Sequence, residues 1–291
     1  MNTYSLATGE RLAYQDEGRG PPILLIHGWG VSGRLFAPQV AALAGRFRLV
    51  VPDMLGHGES NPFTPETQFS RMADSLAGLI SHLELRSVCV VGWSMGALVG
   101  WDLLRRYPQL DIAGVVTVDM VPRVLNGQGW SLGLREGKDH HVFDRHLALM
   151  RSDWPAFAEL FISRMFAPGN RATRTDLLEA AKREALRNDP NSMANIWAVM
   201  VEQDFTAEVA RFDQPSLVLS GSHSSLYGSA AGRWLSEHLP QARWVEFAES
   251  GHAPNMEQPE EFNRELSAFV DSLHVNHATT VNTPVSTGTK T

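Results

Sequence analysis

Ser94 sits in Gly92-Trp93-Ser94-Met95-Gly96, where an aliphatic run over residues 88–91 gives way to a helical pattern that starts near Met95. A serine on a sharp strand-to-helix turn is lifted clear of the sheet edge and lies close to a helix N-terminus, and flanking glycines relieve the crowding of such a turn. The chemistry this suits is attack on an acyl carbonyl. A neutral hydroxyl is a poor nucleophile, so a base is needed within hydrogen-bond reach. Of the eleven histidines, His252 has the best placement: it lies in Glu249-Ser250-Gly251-His252-Ala253-Pro254, after the last strand-like run and before the last helix. A loop there can return an imidazole over the carboxyl edge of a sheet. His27 and His57 compete for the role, but their glycine-rich turns favour structural hydrogen bonding. The others, His140 and His141 among them, are spread over helices and tail, and no H-E-x-x-H or comparable metal spacing occurs.

Acyl transfer also needs N–H groups held ready for the oxyanion. The turn His27-Gly28-Trp29-Gly30 follows a strand-like run over 23–26 and delivers an amide to the same edge. The expected pair is the backbone N–H of Trp29 with that of Met95. The Trp29 ring serves equally as a packing residue that shapes the pocket.

These residues need a scaffold that brings them to one edge. Residues 23–26, 49–51, 88–91 and 115–118 are aliphatic without polar alternation, as strands buried on both faces of a parallel sheet require. Between them, 35–44, 69–85 and 95–107 carry apolar residues three and four apart, the spacing of helices packed on a sheet. The fold class is α/β, a mostly parallel doubly wound sheet whose ligand sites collect beyond the carboxyl ends of its strands. After Arg123 the rhythm changes. Residues 130–205 read as several helices rich in large apolar side chains, which suit either an ordinary helical core or a lid lining an acyl pocket. Strand and helix patterns then resume at 216–219, 230–239, 243–247 and 259–273. The expected organisation is a core over 1–122, a helical lid over 123–205, the remaining core over 206–273 and a disordered tail over 274–291.

Composition narrows the function classes. In 291 residues, 43% hydrophobic and 20% charged amino acids describe a globular chain, and a formal net charge of −7 gives generic nucleic-acid or anionic-membrane binding little support. The single cysteine, Cys89, allows neither an intrachain disulfide nor a thiolate cluster. The N-terminal residues lack a signal-peptide pattern and no apolar run reaches membrane-spanning length, so a cytoplasmic protein is expected.

With His27-Gly28-Trp29-Gly30, the run Asp53-Met54-Leu55-Gly56-His57-Gly58-Glu59-Ser60, the turn at Ser94 and Gly251-His252 in this order, the chain resembles the α/β-hydrolase superfamily from about Leu6 to Leu273. The resemblance implies the α/β-hydrolase fold with a helical lid, a structural role for the turn at Asp53 and His57, and an acid between Ser94 and His252. In the superfamily's commonest pattern the acid follows the penultimate strand, where this chain has Gly221-Ser222-His223-Ser224, and a serine cannot supply the charge. Asp119, in Val118-Asp119-Met120-Val121-Pro122, is the best replacement. The strand after the elbow helix lies beside the nucleophile strand, and some esterases and haloalkane dehalogenases place the acid there. A subgroup of small esterases pairs Asp-x-x-Pro at this strand end with serine at the usual acid site, and this chain is similar on both counts. Asp204, Asp213 or a dyad without acid are the alternatives, and Asp119 as a turn-capping residue is the structural one.

The expected activity is hydrolysis of a carboxylic ester, lactone or thioester with an apolar acyl or aromatic part, through an acyl-enzyme on Ser94, with no metal or organic cofactor. Perhydrolases, carbon–carbon bond hydrolases and acyltransferases share the constellation. A small-molecule receptor on a hydrolase scaffold is the non-enzymatic alternative. Oligomeric state is not legible in the sequence.

Overall fold

The computed structural model describes residues 1–135 and 140–280. The strands are β1 (Asn2–Ser5), β2 (Arg11–Glu17), β3 (Pro22–Ile26), β4 (Arg48–Pro52), β5 (Val88–Trp93), β6 (Ile112–Val118), β7 (Ser216–Gly221) and β8 (Ala242–Phe247). They form one sheet in the order β1-β2-β4-β3-β5-β6-β7-β8. From β4 onward along this order every pairing is parallel, whereas β1–β2 and β2–β4 are antiparallel. The central strands β5 and β6 are buried along their whole length, which is why they read as uninterrupted aliphatic runs.

The helices of the core are α1 (Ala37–Leu43), α2 (Ser70–His82), α3 (Met95–Arg106), α9 (Ser229–His238), α10 (Pro254–Glu257) and α11 (Pro259–Thr280). Gly100 of α3 lies over Val90, while Gly114 lies under Leu273 and Phe269 of α11. Val90 pairs with Val115, the neighbour of Gly114. Adjacent strand residues point to opposite faces, so α3 and α11 cover opposite sides of the sheet. Among the described residues between β6 and β7 stand five further helices, α4 (His140–Ser152), α5 (Trp154–Met165), α6 (Pro168–Thr173), α7 (Thr175–Leu186) and α8 (Pro190–Met200). The carboxylates of Asp153 and Asp189 cap α5 and α8 by accepting from Ala156 N and Ser192 N. This is the α/β-hydrolase fold with a helical insertion, as the sequence led us to expect.

Two features differ from the sequence expectation. The hairpin β1–β2 was not anticipated: β1 is mostly exposed, and the buried residues of β2, Leu12, Ala13 and Tyr14, are consecutive rather than alternating. The last helix continues past Leu273 to Thr280, with no glycine or proline to stop it before Pro284. The rest of the expected tail, 281–291, lies outside the described residues, as do the side chains of His140 and His141. Among the described residues no helix is long and apolar enough to cross a membrane.

Candidate active site

Ser94 joins β5 directly to α3 with φ 54° and ψ −123°, a left-handed conformation that a serine adopts only when its surroundings impose it. Its amide donates to Val118 O of β6 at 2.9 Å. The turn is too tight for side chains on either flank: a Cβ on Gly92 would lie 2.5 Å from the Ala97 backbone, and one on Gly96 would lie 2.2 Å from Ile26 O. The spacing of small residues around the serine therefore has a steric cause.

Asp119 follows the last residue of β6 and is also left-handed, with φ 45°. Its amide donates to Leu219 O of β7 at 2.7 Å, which turns the carboxylate toward the loops beyond the sheet. Three donors converge on that buried carboxylate: His252 Nδ1 at 2.6 Å and Ser224 Oγ at 2.7 Å on Oδ2, and Gly221 N at 3.4 Å on Oδ1. Ser224, which occupies the position where the commonest pattern has a carboxylate, thus donates a hydrogen bond to the carboxylate of Asp119. Asp204 and Asp213 are exposed, and Asp204 pairs with Arg123 at 3.8 Å.

A carboxylate can only accept, so the Nδ1 of His252 carries the proton and Nε2 is left with its lone pair. That Nε2 is buried and has no partner among the described residues; it is not hydrogen-bonded to Ser94 in this structure. The backbone of His252 is held on two sides, its N–H donating to Met165 O of the insertion at 2.6 Å and its carbonyl accepting from Trp93 Nε1 at 2.7 Å. His27 and His57 are knitted into the core instead. His27 accepts from Met54 N through Nε2 and His57 accepts from Gly30 N through Nε2, at 2.9 and 3.1 Å. Burial holds both imidazoles below the ordinary histidine range.

The turn carrying Trp29 lies against the elbow, since a Cβ on Gly28 would approach Ser94 Cβ to 3.2 Å. Met95 opens α3, so its N–H belongs to the first turn of a helix and has no acceptor within it. The Trp29 ring packs edge-on against Trp154, Phe157, Phe161 and Trp197 of the insertion, and its indole N–H donates to Met193 O at 3.0 Å. It is a packing residue whatever its amide does. With Ser94, Met120, Phe161, Trp197, Met200 and Tyr227 it lines a cleft of about 950 Å³, open mouth included, between core and insertion. Burial and the nearby Asp119 charge push the Tyr227 phenol up, so it stays protonated. Of the apolar residues in the insertion, Met150, Trp154, Met165 and Met193 are buried in its core, whereas Phe143, Phe157, Phe161, Trp197 and Met200 border the cleft.

Known proteins of this build are numerous. The chain is 29% identical over 256 residues to the pimeloyl-[acyl-carrier protein] methyl ester esterase of Chromobacterium violaceum, covering 88% of this chain and 96% of that one. The structure of a thermophilic esterase from Thermogutta terrifontis superposes with a TM-score of 0.82 at 27% identity, covering 94% and 97% of the two chains. The esterase EaEST from Exiguobacterium antarcticum shares the fold with a TM-score of 0.86 at 19% identity, covering 92% and 98%. The pattern of the alpha/beta hydrolase family extends over residues 23–265, from the first parallel strand to the last helix. A serine-bearing elbow on that sheet is therefore no isolated likeness, and the chain belongs to the alpha/beta hydrolase family.

Proposed function

We propose that this protein is a serine hydrolase that cleaves carboxylic esters, with lactones and thioesters as chemically related targets, through an acyl-enzyme. Ser94 is the nucleophile, His252 the general base and Asp119 the acid that orients the imidazole and stabilises its charged form. The observation that carries this reading is the 2.6 Å bond from His252 Nδ1 to a buried carboxylate, which leaves the unpaired Nε2 as the basic atom. Nε2 is not hydrogen-bonded to Ser94 Oγ here, and catalytic hydrogen bonds are commonly long or poorly aligned before substrate binds.

In the first half-reaction Ser94 Oγ adds to the carbonyl carbon while its proton passes to Nε2. The carbonyl oxygen takes the negative charge and accepts from the N–H groups of Trp29 and Met95. Collapse expels the alcohol, which takes the proton from Nε2. Water then gives a proton to the same nitrogen as it attacks the acyl-enzyme, and collapse releases the acid while Nε2 returns that proton to the departing Ser94 Oγ. Every proton moved is held by His252, and Asp119 stays ionised throughout. The aromatic and aliphatic border of the cleft supports an apolar acyl or aromatic substrate.

The test is covalent labelling with a fluorophosphonate beside hydrolysis of p-nitrophenyl esters of graded acyl length. Wild-type protein is expected to label and turn over, and Ser94→Ala to do neither. A Ser94→Ala variant that still labels and still hydrolyses sinks the assignment.

A further inference from the structure

Glu257 ends α10, five residues after His252, and its buried side chain commits each oxygen in a different direction. Oε1 accepts from the amides of Gly251 at 2.7 Å and Ala253 at 3.4 Å, the two residues that flank His252. Oε2 accepts from the amide of Ala167 at 2.7 Å and from Asn170 Nδ2 at 2.7 Å, both in the insertion where α5 gives way to α6. Burial pushes the Glu257 carboxyl above the ordinary glutamate range, and four N–H donors on one carboxylate pull the other way, favouring its ionised form and offsetting part of that cost. The same joint is closed by backbone. The His252 amide donates to Met165 O, and a Cβ on Gly251 would come within 2.6 Å of Ala167 N and 2.7 Å of Met165 O. The peptide of the insertion lies directly on the peptide of the histidine loop.

We propose that Glu257 is a positioning residue for the general base, a carboxylate clamp that ties the loop carrying His252 to residues 165–170 of the insertion. This rests on the function proposed above, in which His252 is the base. The insertion is then part of the catalytic frame as well as a cover for the cleft. The imidazole is tethered by Asp119 at Nδ1 only, so the direction of Nε2 toward Ser94 depends on where the backbone of residues 251–253 is held. Misplacing a reacting group by about 1 Å costs on the order of 10²-fold in rate.

The experiment uses Glu257→Gln, which keeps the volume but leaves one acceptor where there were two and turns an NH2 toward N–H donors. For a short p-nitrophenyl ester, kcat is expected to fall about 10- to 100-fold with KM within about twofold of wild type. The far-downfield proton resonance of the His252–Asp119 bond is expected to weaken or disappear. Wild-type kcat together with an unchanged downfield proton, whatever the melting temperature, overturns the proposal and leaves Glu257 as a purely structural residue. Should Glu257→Gln fail to fold, Asn170→Ala answers the question: from a half-buried position it removes the insertion-side bond to Glu257 and a second bond from the same amide to Glu249 O of the histidine loop. A several-fold loss of kcat at constant KM is the expected result there, and wild-type kcat overturns the clamp. His252→Ala, assayed alongside, is expected to abolish turnover, and turnover retained in that variant refutes the base assignment instead.

Discussion

Replacing Asp119 by asparagine is the sharpest probe of the site, because the geometry dictates how the amide must sit. All three polar partners of the carboxylate, His252 Nδ1, Ser224 Oγ and Gly221 N, are donors in the native arrangement. Asparagine offers one acceptor oxygen. Turned toward His252, it preserves the tautomer and sets its NH2 against the Gly221 amide, the longest of the three contacts. Turned the other way, it faces a donor with the Nδ1 proton and drives that proton to Nε2, which can then no longer act as base. The first arrangement still loses the charge. A carboxylate about 4 Å from the centre of an imidazolium, at an effective dielectric constant of about 20, contributes about 4 kcal/mol, or roughly 10³-fold in rate. With any population of the wrong tautomer the loss approaches about 10⁴-fold, as for the analogous change in a serine protease triad. Stopped-flow acylation with a p-nitrophenyl ester reads this directly. The Asp204→Asn and Asp213→Asn variants are expected to stay near wild type, since both side chains are exposed. An Asp119→Asn rate within tenfold of wild type, or collapse in either control, refutes the reasoning.

Two further outcomes follow from the same geometry. Ser224→Ala removes a hydroxyl bond to an ionised carboxylate, an interaction on the order of 1.5–3 kcal/mol; kcat is expected to fall about tenfold with little change in KM, and a wild-type kcat would deny Ser224 any part in holding the acid. The buried His27 and His57 titrate below the unfolded value of 6.5, burial being the main cause for each. Their contribution to stability is therefore complete above that pH and is lost as the pH falls below it, at up to about 1.4 kcal/mol per pH unit for each ring. Urea-unfolding midpoints measured from neutral to mildly acidic pH check this, and midpoints that stay level would contradict it.

What could be read from the sequence depended on whether a cause was local. The steric demand at Gly92 comes from Gly96 and Ala97 a few residues on, and that at Gly96 from the end of the adjoining β3; both fall at fixed spacings from Ser94, so the elbow is visible as a pattern. The uniform burial of β5 and β6 likewise leaves unbroken aliphatic runs. The placement of Asp119 beside His252 was reachable because the end of the strand next to β5 is a topological position that the element order predicts. The hydroxyl of Ser224 on Asp119 was not, since it depends on how the loop after β7 folds back across the end of β6. Glu257 left no signal at all. Its four donors come from two segments more than eighty residues apart in the chain, and a glutamate near the start of a helix is otherwise unremarkable as a dipole partner. The hairpin β1–β2 escaped because its inward residues do not alternate.

The position of the insertion between two strands that are neighbours in the sheet also bears on how the protein reaches its native state. Val118 and Leu219 pair side by side although they stand about one hundred residues apart in the chain. Closing that span costs chain entropy before any contact repays it, and such non-local parallel pairing is intrinsically slow. Contacts among α4, α5, α7 and α8 lie within the insertion, so they can form before β7 meets β6 and shorten the span to be closed. The Asp119 amide reaches Leu219 O, and its carboxylate reaches Ser224 and His252, only once β7 has joined β6. The hydrogen-bond partners of the Asp119 amide and carboxylate among the described residues thus arrive from beyond the closure, and on the function proposed above a partly folded chain, however helical, holds no assembled acid and base.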